Sequence, residues 1–192
     1  MTKVVVLGTG GTIGSRADGT RGHVAAATGA ELLDGLAARG FTAPAEVTVT
    51  VEQFCNINSF LFDLGLALRL ANRAEAVLAG SDVAGVVVTH GTDTTEESAF
   101  LTDLVVGSDK PVVFTRAQRP ADALDSDGPR NLADAIRVAA PETRRLSMLV
   151  LFEQELLEHF RPVRSTPTAS SRPGWPGCPG RPSLRLIPAR GR

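Results

Sequence analysis

The sequence predicts an α/β protein built as a doubly wound, three-layer parallel sheet. Three observations carry this. Apolar, β-branched runs such as VVVL (Val4 to Leu7) and VVVT (Val86 to Thr89) run straight into glycine- and threonine-rich turns, as strands buried on both faces do. Segments with helical apolar spacing lie between such runs. Strand and helix then alternate as βαβαβαβαβ over roughly residues 1–150, a pattern that right-handed crossovers fold into one open sheet. With 192 residues the chain holds one domain with a sizeable core and little more.

The elements follow in order. Lys3 to Leu7 is the first strand, followed by a long glycine-rich loop from Gly8 to Ala27. Thr28-Gly29-Ala30-Glu31 is a capping-box pattern that opens a helix over Glu31 to Ala38, ended by Gly40. EVTVTVEQF (Glu46 to Phe54) alternates as a second strand. Leu61 to Leu78 reads as a helix with Ala67, Leu70, Ala71, Ala74 and Leu78 on one face. Gly85 to Thr89 is the third strand. Glu96 to Val105 is a helix capped by Thr94 or Thr95. Pro111 to Phe114 is the fourth strand. DGPRNLADAIRVAA then opens a helix, with Asp127 as a cap and Pro129 near its first position. Met148 to Phe152 is a fifth strand. In the flavodoxin-like order 2-1-3-4-5, the first and third strands are neighbours at the topological switch point, where open α/β sheets bind ligands.

Composition narrows the function classes. Apolar residues make up 43 % of the chain and charged residues 21 %, as in ordinary soluble domains. No apolar stretch approaches the ~20 residues of a membrane span. The chain starts with a strand rather than a charged-then-apolar leader, so a cytoplasmic protein is expected. Cys55 and Cys178 are far apart, and His23, His90 and His159 are scattered. Neither set makes a disulfide framework or a metal site, and no metal or cofactor is expected. Residues 161–192 hold seven Arg, seven Pro and no acidic residue. This shift marks a boundary near residue 152, with 153–192 expected to be irregular. Without aromatic interleaving beyond Trp175, the basic tail does not read as a nucleic-acid binder.

Two motifs carry the chemistry. TGGTIG (Thr9 to Gly14) follows the first strand, and HGTDTT (His90 to Thr95) follows the third. Each delivers a threonine on a glycine-bracketed turn at a strand's carboxyl end, and both turns face one crevice. A threonine hydroxyl attacks only when a base or its surroundings activate it. Gly10, Gly11 and Gly91 let backbone N–H groups approach a ligand and form an oxyanion hole. Thr12, Thr92 and Asp93 therefore point to acyl transfer on a small substrate. His90 reads as a packing residue beside the motif, and Cys55 as a core residue.

LGTGGTIG (Leu7 to Gly14), GVVVTHGTDTT (Gly85 to Thr95) and SDGPRNLADAIRVA (Ser126 to Ala139) together resemble the signatures of the bacterial-type L-asparaginases and their glutaminase-asparaginase relatives. The resemblance covers roughly residues 1–140. It implies hydrolysis of the side-chain amide of L-asparagine, and of L-glutamine as a second substrate, without metal or cofactor. Thr12 would be the nucleophile that forms the acyl-enzyme, and Thr92 would help activate it or the water. Asp93 would bind the substrate's α-amino group, and Ser59 its carboxylate, with Asn58 beside it. Gly11 and Gly91 complete the substrate-binding set.

The chain departs from the family pattern at several points. The position aligned with the family's catalytic lysine is Arg164, and arginine cannot shuttle a proton. The chain has no tyrosine, and Thr20 stands as a candidate for the one many members carry on the mobile loop. Thr95 replaces an apolar residue, and TRAQRP (Thr115 to Pro120) replaces a more glycine-rich turn. The family's second domain, which completes a neighbouring subunit's site in a homo-oligomer, is expected to be missing.

Four rivals stand beside this reading. A dinucleotide fingerprint begins at Gly8-x-Gly10, but its third glycine position holds Ile13. A serine hydrolase would need a G-x-S-x-G elbow, which the sequence lacks. The third is an inactive remnant, and the fourth is the asparaginase-like subunit of a tRNA-linked amidase. The tail reads as a shifted-frame translation of a GC-rich gene. Re-reading the coding DNA in the other two frames is expected to yield a lysine-containing segment and a second α/β domain; if neither frame does, the frameshift idea fails.

Overall fold

The computed structural model describes residues 1–20, 22–140, 148–152, 155–158 and 184–185. Its strands are β1 (Thr2–Gly10), β2 (Ser15–Asp18), β3 (Gly22–Ala25), β4 (Val47–Ile57), β5 (Val83–Thr89), β6 (Val112–Thr115), β7 (Met148–Phe152), β8 (Glu155–Glu158) and β9 (Leu184–Arg185). The helices are α1 (Gly29–Ala37), α2 (Leu64–Leu78), α3 (Thr95–Val105) and α4 (Gly128–Val138). The main sheet runs β4-β1-β5-β6-β7-β8-β9. Its first five strands are parallel, and β8 and β9 continue the edge antiparallel. Numbered by the five expected strands, this is the order 2-1-3-4-5. Arg164, Cys178, His159 and Trp175 lie outside the described residues.

Alternation along the strands sorts the core into two layers. Val4, Val6, Val87, Val113, Leu149 and Leu151 face one side, where they meet Leu36 of α1 and Leu132 and Ile136 of α4. Val5, Leu7, Val86, Val88, Phe114 and Val150 face the other, against Leu70, Ala74 and Leu78 of α2 and Ala99 of α3. Every residue of β5 is buried, which explains its unbroken apolar run.

Local signals set the helix starts. Thr28 and Glu31 form the full capping box on α1. Asp63 caps α2 by accepting from Leu66 N, so the helix starts at Leu64 and not at the expected Leu61. Residues 59–61 form a separate 3-10 turn. The glycine-rich stretch after β1 is not all loop. β2 and β3 pair antiparallel within it, across a turn in which Asp18 Oδ1 accepts from Thr20 N and Oγ1 at 3.3 and 3.2 Å. A ladder this short, made of SRAD and GHVA, leaves no apolar alternation to read.

The apolar face of α2 gives a direct check. Leu70 is 0 % exposed and Leu68, on the other face, 43 %. Leu70→Ala is expected to lower unfolding free energy by about 2–5 kcal/mol. Leu68→Ala should cost less than ~1 kcal/mol, both read from urea unfolding.

Candidate active site

The site forms where β1 and β5 end. The two strands are paired along their length, and Thr9 Oγ1 donates to Thr89 O at 2.6 Å just before the turns. Beyond that rung the chains turn within touching distance. A Cβ on Gly11 would stand 2.3 Å from Gly91 Cα, and one on Gly91 2.3 Å from Ser59 Oγ. Gly11 also holds φ 77° and ψ −172°, a region open essentially to glycine alone. The two sequence motifs therefore meet through their glycines, and the next residue of each is Thr12 or Thr92.

Thr12 opens a 3-10 turn, and its carbonyl accepts from Ser15 N and, at 3.0 Å, from Ser15 Oγ. Thr12 and Thr92 are both half-buried. Asp93 is exposed, and its Oδ2 accepts from Ser59 Oγ at 2.6 Å while its amide donates back to the same Oγ at 3.1 Å. Ser59 is 3 % exposed, and its carbonyl accepts from Thr94 Oγ1 at 3.0 Å. Ser59 is thus the seat of Asp93. Asn58, half-buried beside it, begins the 3-10 turn through its carbonyl, which accepts from Leu61 N at 3.0 Å. The structure brings Gly11, Thr12, Asn58, Ser59, Gly91, Thr92 and Asp93 to one end of the sheet.

The residues expected to cap α3 and α4 do other work. Thr94 sits at the start of α3 without a capping bond, its hydroxyl on Ser59. Thr95 Oγ1 donates to Gly91 O. Asp127 makes no cap on α4. Its carboxylate accepts from Gln118 N and Arg119 N at 3.0 and 2.9 Å and from Asn131 Nδ2 at 3.0 Å. Burial alone would raise its pKa, but these donors outweigh it and hold the carboxyl below its ordinary range. Asn131 Nδ2 also donates to Arg116 O at 2.9 Å. The DGPRN segment therefore fixes the loop after β6, which reaches the site. Arg116 Nη1 lies 3.4 Å from Thr92 O and 2.8 Å from Glu96 Oε1. Sequence reasoning gave these three residues no role at the site. Their contacts join segments far apart in the chain, and only the substitution within TRAQRP flagged the loop.

The remaining candidates fall away from the chemistry. His90 is fully buried, between Phe62 at 4.6 Å and Phe114 at 5.8 Å, and burial pushes its pKa down. Cys55 donates to Thr9 O at 3.3 Å, and burial raises its thiol to about 11, so it is no thiolate nucleophile. The Thr20 hydroxyl is engaged in the turn between β2 and β3. Among the described residues no group of three or more His, Cys, Asp or Glu side chains could hold a metal ion, and no helix is long and apolar enough to cross a membrane.

The glycine contact is open to test. Gly11→Ala adds a Cβ against Gly91 and forces a backbone region that costs other residues about 1–3 kcal/mol. The variant is expected to lose at least ~3 kcal/mol of stability in chemical denaturation, clash included. Gly19→Ala, with open space around its Cβ, should lie within ~0.5 kcal/mol of the parent.

Comparison with known proteins identifies the family. Residues 3–173 match the family model described as "Asparaginase, N-terminal". L-asparaginase 2 of Bacillus subtilis (strain 168) is 46 % identical over 109 residues, which cover 56 % of this chain and 29 % of that protein. The glutaminase-asparaginase of Pseudomonas fluorescens biotype A is 35 % identical over 161 residues, covering 81 % and 43 %. The crystal structure of a "Probable Cytoplasmic L-asparaginase" from Campylobacter jejuni superposes with a TM-score of 0.69 at 33 % identity, over 82 % of this chain and 46 % of that one. The chain thus spans less than half the length of these relatives. Matched over most of its length, with both threonine turns inside the matched segment, the chain belongs to the asparaginase family.

Proposed function

We propose that this chain carries the nucleophile half of an amidohydrolase that converts L-asparagine to L-aspartate and ammonia through a threonine acyl-enzyme. The observation that supports it most is the contact of Gly11 with Gly91, which sets the Thr12 and Thr92 turns side by side beside a carboxylate seated by Ser59. In this reading Thr12 Oγ adds to the side-chain amide carbonyl. Backbone N–H groups of the glycine turns receive the developing oxyanion. The amide nitrogen leaves as ammonia after taking a proton, and water then releases L-aspartate from the ester. Asp93 binds the α-ammonium, and Thr92 assists the hydroxyl or the water. The relative named a glutaminase-asparaginase makes L-glutamine the second substrate to test. A cytoplasmic setting and a homo-oligomer in the longer proteins belong to the same reading.

Proton removal from Thr12 needs a base. Arg164, the residue aligned with the family's lysine, stays protonated and cannot serve. Chain 1–192 is therefore expected to release ammonia from L-asparagine at less than ~1 s⁻¹, the low end of enzyme rates, while L-aspartate raises its Tm and NAD does not. Any turnover should drop by orders of magnitude in Thr12→Ala and Thr92→Ala, and Asp93→Ala should act chiefly on KM. Unchanged turnover in Thr12→Ala would reject the nucleophile. No response to L-aspartate would mark a non-catalytic remnant.

A further inference from the structure

Four buried oxygens lie where β5 and β6 end and α4 begins: Thr89 Oγ1, Thr115 Oγ1, Ser126 Oγ and Asn131 Oδ1. Among the described residues no group hydrogen-bonds to any of them. Thr89 is 1 % exposed, and Thr115 and Asn131 are 0 % exposed. An oxygen shut away from solvent without a partner costs free energy, and buried polar groups in folded proteins are nearly all bonded.

Strand geometry brings the first two together. Thr89 and Thr115 are register partners on neighbouring parallel strands. Val87 and Val113, two positions before them, face the layer that holds α4, so by alternation both threonine side chains face it too. Neighbouring strands stand ~4.8 Å apart. A single oxygen ~2.8 Å from each hydroxyl spans that gap at close to the tetrahedral angle of water. The start of α4 supplies the other two. Ser126 Oγ lies 3.6 Å from the Cβ position of Gly128, which is itself 3.6 Å from Ala117 Cβ and 3.0 Å from Ile13 Cγ1. Asn131 Nδ2 donates to Arg116 O and Asp127 Oδ2 at 2.9 and 3.0 Å, which sets the amide beside the residue after Thr115.

The set is neutral. Each hydroxyl donates one bond and accepts two, and the amide oxygen only accepts. A small neutral ligand that both donates and accepts matches it, and a buried water needs two to four such partners. His90 Nε2 is also without a partner, but its ring lies in the opposite layer, between Phe62 and Phe114.

We propose that Thr89, Thr115, Ser126 and Asn131 build an internal hydration site, whose ordered water ties the ends of β5 and β6 to the start of α4. Ile13, the residue after Thr12, packs on Gly128 of that helix. The water therefore underlies the seat of the Thr12 turn, whatever chemistry Thr12 performs.

Isosteric substitutions on chain 1–192 read the occupant through the sign of a Tm shift. Replacing a partnerless buried hydroxyl by a methyl group leaves stability unchanged or raises it. With water bound, Thr89→Val and Thr115→Val each delete one of its bonds, and each is expected to lower Tm by about 3–9 °C. The double variant should fall well short of the summed shifts, because both hydroxyls hold the same water. Thr102→Val combined with Thr115→Val is the control: Thr102 Oγ1 donates to Ser98 O on α3, across the sheet, so those shifts should add. Sodium, potassium and ammonium chloride at equal ionic strength are expected to give the same parent Tm. Unchanged or raised Tm in either single variant, or additive shifts in Thr89→Val/Thr115→Val, would overturn the shared water. A potassium- or ammonium-specific rise in Tm that both single variants lose would overturn it as well, by making the occupant a cation.

Discussion

Strand β1 lies between β4 and β5, so the turns that leave β1 and β5 emerge side by side, about one strand spacing of ~4.8 Å apart. Two backbones can turn there together only where neither carries a Cβ, and Gly11 and Gly91 meet that condition. The rest of the site hangs from this contact. Thr12 follows one glycine and Thr92 the other. Ser59 fills the space above Gly91 and seats Asp93. The β2–β3 hairpin is tied back through Gly14, whose carbonyl accepts from Ala26 N and Ala27 N at 3.1 and 2.8 Å.

A second layer holds this arrangement from the far side of the sheet end. Asp127 and Asn131 grip the backbone after β6, and the same loop reaches the hairpin through Asp122 Oδ2, which accepts from Ala17 N at 2.8 Å. Side chains that would ordinarily cap α3 and α4 are used in this bracing instead. Thr94 and Asp127 each give up a cap for a bond outside the helix, while Thr95 bonds back to Gly91 O within its own turn. Helix ends at the site therefore depend on tertiary packing more than on their own caps.

These features set what could be read from the sequence. The five parallel strands were legible because burial on both faces leaves continuous apolar runs, as in β5. The capping box of α1 was legible because Thr28 and Glu31 act only on each other. The candidate site residues were legible as two glycine–threonine turns and a serine, since each motif is local. The β2–β3 ladder was not, because its two four-residue segments are short and carry no apolar alternation. Asp127 read as a cap because its neighbours fit one, and nothing local reveals that its carboxylate serves the loop after β6. Arg116 acts on Thr92 and Glu96, which lie 24 and 20 positions before it, beyond any periodicity.

The central place of β1 also governs how the protein folds. β1 cannot pair until β4 is present, and its other edge waits for β5, which begins at Val83. Both closures are non-local, and each adds loop entropy before any contact rewards it. During synthesis the Thr12 turn has no Gly91 to rest on until the second motif has left the ribosome. Before then Val4, Val5, Val6 and Leu7, buried in the finished sheet, are exposed, as growing chains of this topology expose strands that await a partner.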